Sequence, residues 1–175
     1  MESVSESELE KKLRTFENTK DPDIEGFLQR DAIPFEKRRW SATYLVVSND
    51  ETFSGACIEG YFTLSFQAYH VPESISKRRI KKLFGGILPD TAYCTTVLIG
   101  QLGKHIGEDY ISAIHGSELL DIAFTVISEL NQLVYCPNVL LECSVDRPNL
   151  QEMYSEYGFK EYQRNEQFIE MIAFL

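Results

Sequence analysis

The sequence predicts an α/β fold, in which helices flank a mixed β-sheet within one domain. Segments rich in β-branched and aromatic residues alternate with segments whose apolar residues recur at helical spacing. A short polar stretch joins the first two strand-like segments, which favours an antiparallel hairpin. A long amphipathic segment separates two later strands, which favours a crossover between parallel neighbours. The 175 residues, 43% of them hydrophobic, are enough to bury a sizeable core.

The residue patterns assign the elements in order along the chain. Asp21 and Pro22 are a favourable helix start, Pro34 should kink that helix, and Gly158 should stop the last one. The predicted elements are a helix from Asp21, strands at 43–47 and 56–71, a basic helix at 73–84, a strand at 92–104, a helix opened by Gly116, a strand at 139–145, a short helix at 150–157, and strands at 159–163 and 168–174. We expect a flexible N-terminal segment at 1–14 and the folded domain at 15–175.

Composition and charge argue against several classes of protein. The formal net charge is −10, and the chain from Gly116 onward holds ten acidic residues against three basic ones, which disfavours a nucleic-acid partner. No apolar run is long enough for a membrane helix, and the acidic N-terminus does not resemble a signal peptide. The four cysteines show no CxxC spacing and no histidine cluster, so we expect reduced thiols, no metal site and a cytoplasmic location.

Two features in the middle of the chain admit more than one interpretation. The basic run from Lys77 to Lys82 is either a solvated helix face or an anion site for a phosphate-bearing ligand. Gly100 and Gly103 lie inside a predicted strand, where glycine is either merely tolerated or marks a bulge beside a ligand. A bulge would separate this strand from its parallel neighbour at 139–145. An extended molecule that bears amides could then pair with the exposed backbone.

Residues that follow the later strands could also contact a ligand. Gly116, between His115 and Ser117, begins a long helix whose free N–H groups could bind a pyrophosphate; the alternative is an ordinary helix cap beside a solvated histidine. Tyr154 either packs in the core or donates its phenol proton to a leaving thiolate, because the two groups have similar pKa values. Asn149 either caps the short helix, or hydrogen-bonds a ligand amide, or does both.

The rear of the chain resembles the closing motif of the GNAT acetyltransferase superfamily, in which a strand precedes an asparagine, a tyrosine and a Gly-Phe pair. Here the strand Val139-Leu-Leu-Glu-Cys precedes Asn149, Tyr154 and Gly158-Phe159. The glycine-bearing strand, the glycine at the start of the long helix and the order of the elements agree with this resemblance. It implies a single GNAT-like domain, with a mixed sheet flanked by helices and with splayed central parallel strands.

The front of the chain is similar to the branch of GNAT toxins that act on aminoacyl-tRNA. The similar segments are Phe16 to Leu28, Thr43 to Val47 and Gly60 to Leu64. The resemblance implies that an acetyl group passes from acetyl-CoA to a primary amine. An acidic surface attracts cations, so we expect a small-molecule or protein amine as acceptor, with tRNA not excluded and a homodimer left open.

The resemblance also implies roles for individual residues. The backbone of Leu102 and Lys104 would pair with pantetheine, and the first turn of the long helix would bind the pyrophosphate. The implied cofactor-binding residues are Leu102, Gly103, Lys104, His115, Gly116, Ser117 and Asn149. Tyr154 would be the general acid. No residue stands out as the general base that the amine needs, and Glu142, which points from the core strand, is one candidate for it.

One segment departs from the family pattern. The phosphate loop of the family has a polar residue and a glycine before its last small residue, whereas Ile111 and Ile114 stand at those places and only Gly116 matches. Lys104, His115 or the basic helix could compensate. A second interpretation is therefore a GNAT-fold domain that has lost catalysis and serves as a binding or interaction module.

Overall fold

The computed structural model describes residues 4–48, 53, 55–71, 76–83, 86, 88 and 93–175. Within these ranges the helices and strands follow the predicted order. They are α1 (Glu6–Leu13), α2 (Pro22–Gly26), a π-helical turn (Phe27–Asp31), α3 (Ala32–Lys37), β1 (Ala42–Val47), β2 (Ile58–His70), α4 (Lys77–Leu83), β3 (Tyr93–Lys104), α5 (Gly116–Leu133), β4 (Asn138–Ser144), α6 (Pro148–Glu156), β5 (Lys160–Arg164) and β6 (Phe168–Phe174).

The strands form one six-stranded sheet in the order β1-β2-β3-β4-β6-β5. β1 and β2 pair antiparallel, as do β4 with β6 and β5 with β6, whereas β3 and β4 pair parallel. The predicted mixed sheet, its early hairpin and its parallel crossover are confirmed. The hairpin segment 49–52 and the predicted ends of the basic helix at 73 and 84 lie outside the described residues.

Parallel pairing of β3 with β4 ends early. Among the residues that the structure describes, the two strands pair only at Val97–Val139, Leu98–Leu140 and Ile99–Leu141. β3 nevertheless continues to Lys104, and β4 continues to Ser144. The two central strands therefore lose their mutual backbone pairing in their carboxyl-terminal parts, as the sequence led us to expect.

The chain forms two compact units, Met1–Leu64 with Gln101–Phe124 and Ser65–Gly100 with Thr125–Leu175. In the first unit, α1 begins with a capping box in which Ser5 and Glu8 exchange hydrogen bonds. Leu13, at the other end of this helix, is buried. Residues 6–13 of the segment that we expected to be flexible form this helix, and the flexibility of 1–14 stays a prediction. Three acidic and three basic residues at positions 6–14 made the segment look solvated, but Leu13 and the partly buried Leu9 pack on the core of the unit. The core of the unit consists of Leu13, Phe16, Leu28, Ala32, Ile58 and Tyr61.

The expected kink before Pro34 takes the form of the π-helical turn Phe27–Asp31 between α2 and α3. Proline has no N–H to donate to the carbonyl of Arg30, so the regular helical ladder cannot run through this point. Asp21 caps α2, accepting hydrogen bonds from the N–H groups of Asp23 and Ile24. The helix start predicted at Asp21 is confirmed.

The second unit has its own apolar cluster of Tyr69, Val71, Leu140, Tyr162 and Ile172, against which Ile80 of α4 packs. Lys77, Arg78 and Lys81 of α4 are exposed, which fits a solvated basic face. All four cysteines are free thiols, but Cys57 is exposed rather than buried. No helix within the described ranges is long and apolar enough to cross a membrane.

Candidate active site

The outer edge of β3 carries the backbone groups predicted to pair with a cofactor. The N–H of Gln101 donates to Oγ1 of Thr63 at 2.9 Å, and the N–H of His105 donates to the carbonyl of Glu59 at 2.9 Å. Both acceptors belong to β2, so odd-numbered residues direct their backbone groups towards that strand. Because backbone direction alternates along a strand, Leu102 and Lys104 direct theirs to the opposite edge.

The last part of this edge is already covered by the chain itself. The Nδ2 of Asn18 donates to the carbonyl of Lys104 at 3.1 Å. Ile106 exchanges backbone hydrogen bonds with Glu17 and Thr19, at 2.8 and 2.9 Å. The segment from Glu17 to Thr19 therefore ends the free edge at Lys104. The backbone groups of Leu102 and the N–H of Lys104 lie before this point.

Packing accounts for the glycine at position 103, whereas its contact with a cofactor stays a prediction. A Cβ at this position would overlap the side chain of Ile24 in α2. Only glycine therefore allows α2 to approach this face of the strand so closely. The carbonyl of Gly103 itself points towards β2. Its oxygen would lie 3.0 Å from a Cβ added at Gly60.

The Lys104 side chain organises the loop that leads to α5. Its Nζ donates to the carbonyls of Ser112 and Ile114, both at 3.1 Å. The N–H of Ile114 donates in turn to Oγ of Ser112 at 3.2 Å. The lysine charge is thus directed at backbone carbonyls within the loop, and it fixes the approach to Gly116.

The first turn of α5 carries a carboxylate of its own, that of Glu118. Gly116 is the first residue of the helix, as predicted, and the N–H of His115 donates to the Glu118 carboxylate at 2.7 Å. This is the arrangement of a capping residue that reaches back to the helix start. The start of α5 therefore has the ordinary helix cap that the sequence allowed as an alternative to a pyrophosphate site. The His115 side chain is exposed. Any pyrophosphate at Gly116 and Ser117 would meet the charge of Glu118.

Helix α6 begins at Pro148, earlier than predicted, because proline suits the first position of a helix. Asn149 is then the second helical residue and is exposed, while Arg147 takes the N-cap position without a side-chain hydrogen bond. The suggestion that Asn149 caps this helix is wrong. Its side chain points to solvent from the first turn.

Tyr154 is fixed by the way α6 ends. Gly158 has φ of +87°, and the N–H groups of Gly158 and Phe159 donate to the carbonyls of Ser155 and Tyr154, at 3.0 and 3.1 Å. This is a Schellman motif, so the predicted helix stop at Gly158 is confirmed. Tyr154 is only 7% exposed, and burial, aided by Cys143 and opposed by Arg147, raises its pKa to about 12. The phenol is therefore a protonated donor at neutral pH.

Glu142 does not lie beside Tyr154. Tyr154 neighbours Cys143 of β4, and adjacent strand residues point to opposite faces of a sheet. Glu142 instead pairs across the ladder with Glu170 of β6. Partial burial, followed by the charge of Glu170, raises the pKa of Glu142.

The structure groups the predicted site residues by unit. Leu102, Gly103, Lys104, His115, Gly116 and Ser117 lie in the first unit, and Glu142, Asn149 and Tyr154 lie in the second. An open depression of about 410 Å³, bordered by Gln151, Ser155, Phe159 and Met171, contains none of them. No cluster of metal-ligating side chains occurs within the described ranges.

An exposed cluster at the end of α3 was not among the predicted site residues. We call it the basic-aromatic cluster, and it consists of Lys37, Arg38, Arg39 and Trp40. The Arg38 guanidinium lies 5.0 Å from the centre of the Trp40 ring, which is 59% exposed. The run Lys-Arg-Arg-Trp was itself the signal, since three adjacent cations beside an aromatic residue are unusual in a chain of net charge −10.

Comparison with known proteins gives structural matches only. No protein-family model and no curated protein sequence matches this chain. A tyrosine-to-phenylalanine mutant of KacT superposes with a TM-score of 0.66 and 16% identity, covering 89% of this chain and 84% of its own. AtaT complexed with acetyl-methionyl-tRNAfMet gives 0.67 and 18%, covering 90% and 85%. AtaTR bound with acetyl-CoA gives 0.66 and 16%, covering 90% and 84%.

These neighbours are toxins with the GNAT acetyltransferase fold, and the similarity extends over nearly the whole of both chains. The identities of 16–18% are too low to carry over activity or individual residues. The structural matches agree with the mixed sheet flanked by helices. The chain has the GNAT fold.

Proposed function

We propose that this protein is an N-acetyltransferase that moves the acetyl group of acetyl-CoA to a primary amine. The observation that carries the proposal is the outer edge of β3 beyond its last pair with β4. The backbone of Leu102 and the N–H of Lys104 point outward there, in a chain with the GNAT fold. An extended pantetheine arm bears two amides, and it can hydrogen-bond such an edge as an added strand would.

The remaining cofactor contacts follow along the chain. Past the Lys104 backbone, the loop held by the Lys104 ammonium leads to Gly116 and Ser117, whose N–H groups can receive a diphosphate, with exposed His115 beside them. In this proposal the exposed side-chain amide of Asn149 steadies the cofactor arm. Whether the diphosphate binds well depends on Glu118, because that carboxylate lies at the same helix start.

Acyl transfer needs a neutral amine and a protonated leaving group. The amine nitrogen attacks the thioester carbonyl carbon, the C–N bond forms, and the C–S bond breaks with its electron pair on sulfur. We assign Tyr154 as the general acid that protonates this sulfur. Its raised pKa keeps the phenol protonated at neutral pH, so a proton is available, but it also makes transfer to the thiolate less favourable than from an unperturbed tyrosine.

The test is release of free thiol from acetyl-CoA in the presence of different amines. Methionine amide, a lysine derivative blocked at its α-amine, a peptide and methionyl-tRNA form a suitable panel. At least one acceptor should be acetylated, as mass spectrometry of the product would verify. No thiol release with any of them, together with thermal stabilisation by acetyl-CoA, would favour a binding module. Acetyl-CoA at 100 times its Kd should raise the free energy of unfolding by about 2.7 kcal/mol. Thiol release without thermal stabilisation of the protein by acetyl-CoA is therefore not expected.

A second candidate is an acetyltransferase whose acceptor amine is carried by a nucleic acid. The basic-aromatic cluster favours it, because exposed arginines attract phosphates and an exposed tryptophan can stack on an unpaired base. Four basic residues and two acidic ones lie between Arg30 and Trp40, although the whole chain is acidic. One structural neighbour, AtaT, is complexed with acetyl-methionyl-tRNAfMet.

Substitution of the cluster separates the two candidates. The double variant Arg38→Ala, Trp40→Ala should lower kcat/KM for methionyl-tRNA by about tenfold or more, given about 1–3 kcal/mol for one stacked base. Its kcat/KM for methionine amide should not change. Arg14→Ala serves as the control, because Arg14 is an exposed arginine at the C-cap of α1, outside the cluster. Equal losses with both acceptors would contradict a nucleic-acid acceptor.

A further inference from the structure

We propose that Glu142 and Glu170 act as a divided carboxylate pair, in which Glu142 takes the proton from the acceptor amine and Glu170 is a positioning residue for Glu142. The inference rests on the proposed acetyltransferase function and names the base that this function lacks. It concerns the second unit, and its elements are the neighbouring strands β4, β6 and β5 together with the end of β2.

Strand register brings the two carboxylates together on one face of the sheet. Glu142 of β4 lies directly opposite Glu170 of β6, and Glu170 in turn lies opposite Gln163 of β5. Side chains paired in this way have Cβ atoms about 4.5–5.5 Å apart, so two like charges repel each other. A protein keeps such a pair only where something else stabilises the arrangement.

Glu170 has donors that stabilise its charged form. The Tyr69 hydroxyl donates to Oε2 of Glu170, and Nε2 of Gln163 donates to the same oxygen at 2.7 Å. Hydrogen bonds to the ionised form favour ionisation. The Tyr69 hydroxyl stays protonated and can donate, because burial and, as a smaller effect, the neighbouring Glu170 raise its pKa.

Glu142 has no such donor among the residues that the structure describes. Partial burial and the neighbouring Glu170 carboxylate raise its pKa. Two paired acids with different environments divide the acid and base roles between them. Glu142 is therefore assigned the proton-accepting role, and its side chain is exposed and accessible to an acceptor.

Glu142 also occupies a defined place along β4. It is the first residue after Leu141, which makes the last pair with β3. In the proposed function this is where the backbone edge available to the cofactor begins. Tyr154 lies over the opposite face, beside Cys143, so the acid and the base of the proposal approach from different sides of β4.

Other titratable and charged groups face this side of the unit. Cys94 of β3 and Tyr162 of β5 adjoin Tyr69, and burial raises the pKa of Cys94 to about 11. The Cys94 thiol is therefore neutral near pH 7. The described cations of α4, Lys77, Arg78 and Lys81, are exposed. Solvent weakens their influence, so Glu170 remains the principal charge acting on Glu142.

The proton balance closes with these residues. The acceptor ammonium gives one proton to the Glu142 carboxylate, and the neutral nitrogen attacks the thioester carbonyl carbon. The nitrogen loses its second proton to water as the C–S bond breaks. Tyr154 protonates the thiolate and regains a proton from solvent, and Glu142 returns its proton to solvent. One proton is released overall for each acetyl group transferred.

The test measures kcat/KM against pH for acetyl-CoA and methionine amide, together with the carboxyl-carbon NMR titration of Glu142. Glu142→Gln should lower kcat/KM about 100-fold or more and remove its acidic limb. Glu170→Gln keeps the hydrogen-bond acceptor but removes the charge, so the Glu142 titration and the acidic limb should both move to lower pH. Tyr69→Phe should move the Glu142 titration and the acidic limb to lower pH as well, but by a smaller amount. Glu152→Gln, an exposed acid of α6, should move neither.

The outcomes are distinct. Full activity in Glu142→Gln, or an NMR titration that shifts in Glu170→Gln while the acidic limb stays, would overturn the pair and leave the acetyltransferase proposal intact. An unshifted Glu142 titration in Glu170→Gln would overturn the positioning role of Glu170. A wild-type protein that acetylates no acceptor in the panel would remove the proposed function and this inference together.

Discussion

Tyr154 and Phe159 are joined across the end of α6 by a backbone hydrogen bond and by a ring contact. The N–H of Phe159 donates to the carbonyl of Tyr154 at 3.1 Å, and the ring centroids lie 6.0 Å apart at an interplanar angle of 66°. Both are features of a Schellman motif, in which the residue after the left-handed glycine packs on the last helical turn. The spacing of tyrosine, glycine and phenylalanine in this segment therefore has a physical reason. It fixes the tyrosine ring.

Gly158→Ala should destabilise the protein by about 1–2 kcal/mol, because a Cβ is unfavourable at positive φ. No atom lies within 4 Å of that Cβ position, so the cost comes from the backbone alone. Urea unfolding measures it. Gly86→Ala is the matched control, since Gly86 also has positive φ and open space. Activity relative to folded protein should fall only in Gly158→Ala, and an equal fall in both would contradict positioning of Tyr154 by this turn.

Tyr154→Phe should reduce kcat about 100-fold or more while the Kd for acetyl-CoA stays unchanged, because the lost proton acts only on the leaving sulfur. The pKa of Tyr154 is raised to about 12, so the wild-type rate should show no basic limb due to this phenol below about pH 11. Stopped-flow thiol release and equilibrium titration test the two parts. Undiminished turnover would exclude Tyr154 as the acid.

Glu118→Gln should bind acetyl-CoA about twofold to fivefold more tightly, because it removes a negative charge from the helix start that is proposed to receive the diphosphate. Acetyl-pantetheine, which has no diphosphate, should bind both proteins equally. Glu129→Gln removes the same charge farther along α5 from an exposed position and is the control. Calorimetric titration compares the three proteins, and weaker binding by Glu118→Gln would place the diphosphate elsewhere.

Arg39→Gly should stabilise the protein by about 1 kcal/mol, because Arg39 has φ of +56°, which glycine adopts without strain. Arg39 ends α3 in the same kind of motif as Gly158, with its N–H bonded to Glu36 and that of Trp40 bonded to Phe35, both at 3.0 Å. Arg38→Gly is the control, since Arg38 has φ of −83° and gains no relief there. The urea midpoint should rise only for Arg39→Gly.

Local chemistry made much of this fold predictable. Asp21-Pro22 and Gly158 marked a helix start and a helix stop, and alternation of β-forming and helical segments gave the mixed sheet with its parallel crossover. The position of Tyr154 over the carboxyl end of β4 followed from a short helix directly after a buried strand. These features depend on residues close together in the sequence, where propensity and spacing act strongly.

Features that depend on distant residues could not be predicted. Gly103 is needed because Ile24, far away in the sequence, packs over it, and nothing at Gly103 announces that contact. The pairing of Glu142 with Glu170 depends on the register of β4 with β6, and a shift of one residue would place them on opposite faces. Helix α1 looked solvated because its burial rests mainly on Leu13.

The central claim is that acetyl-CoA pairs with the outer edge of β3, and amide hydrogen exchange with and without acetyl-CoA tests it most directly. With the cofactor at 100 times its Kd, the amides of Leu102 and Lys104 should exchange at least about tenfold more slowly. The amide of Gln101, which already donates to Thr63, should change little. Unchanged exchange at Leu102 and Lys104 in the presence of saturating acetyl-CoA would contradict the account.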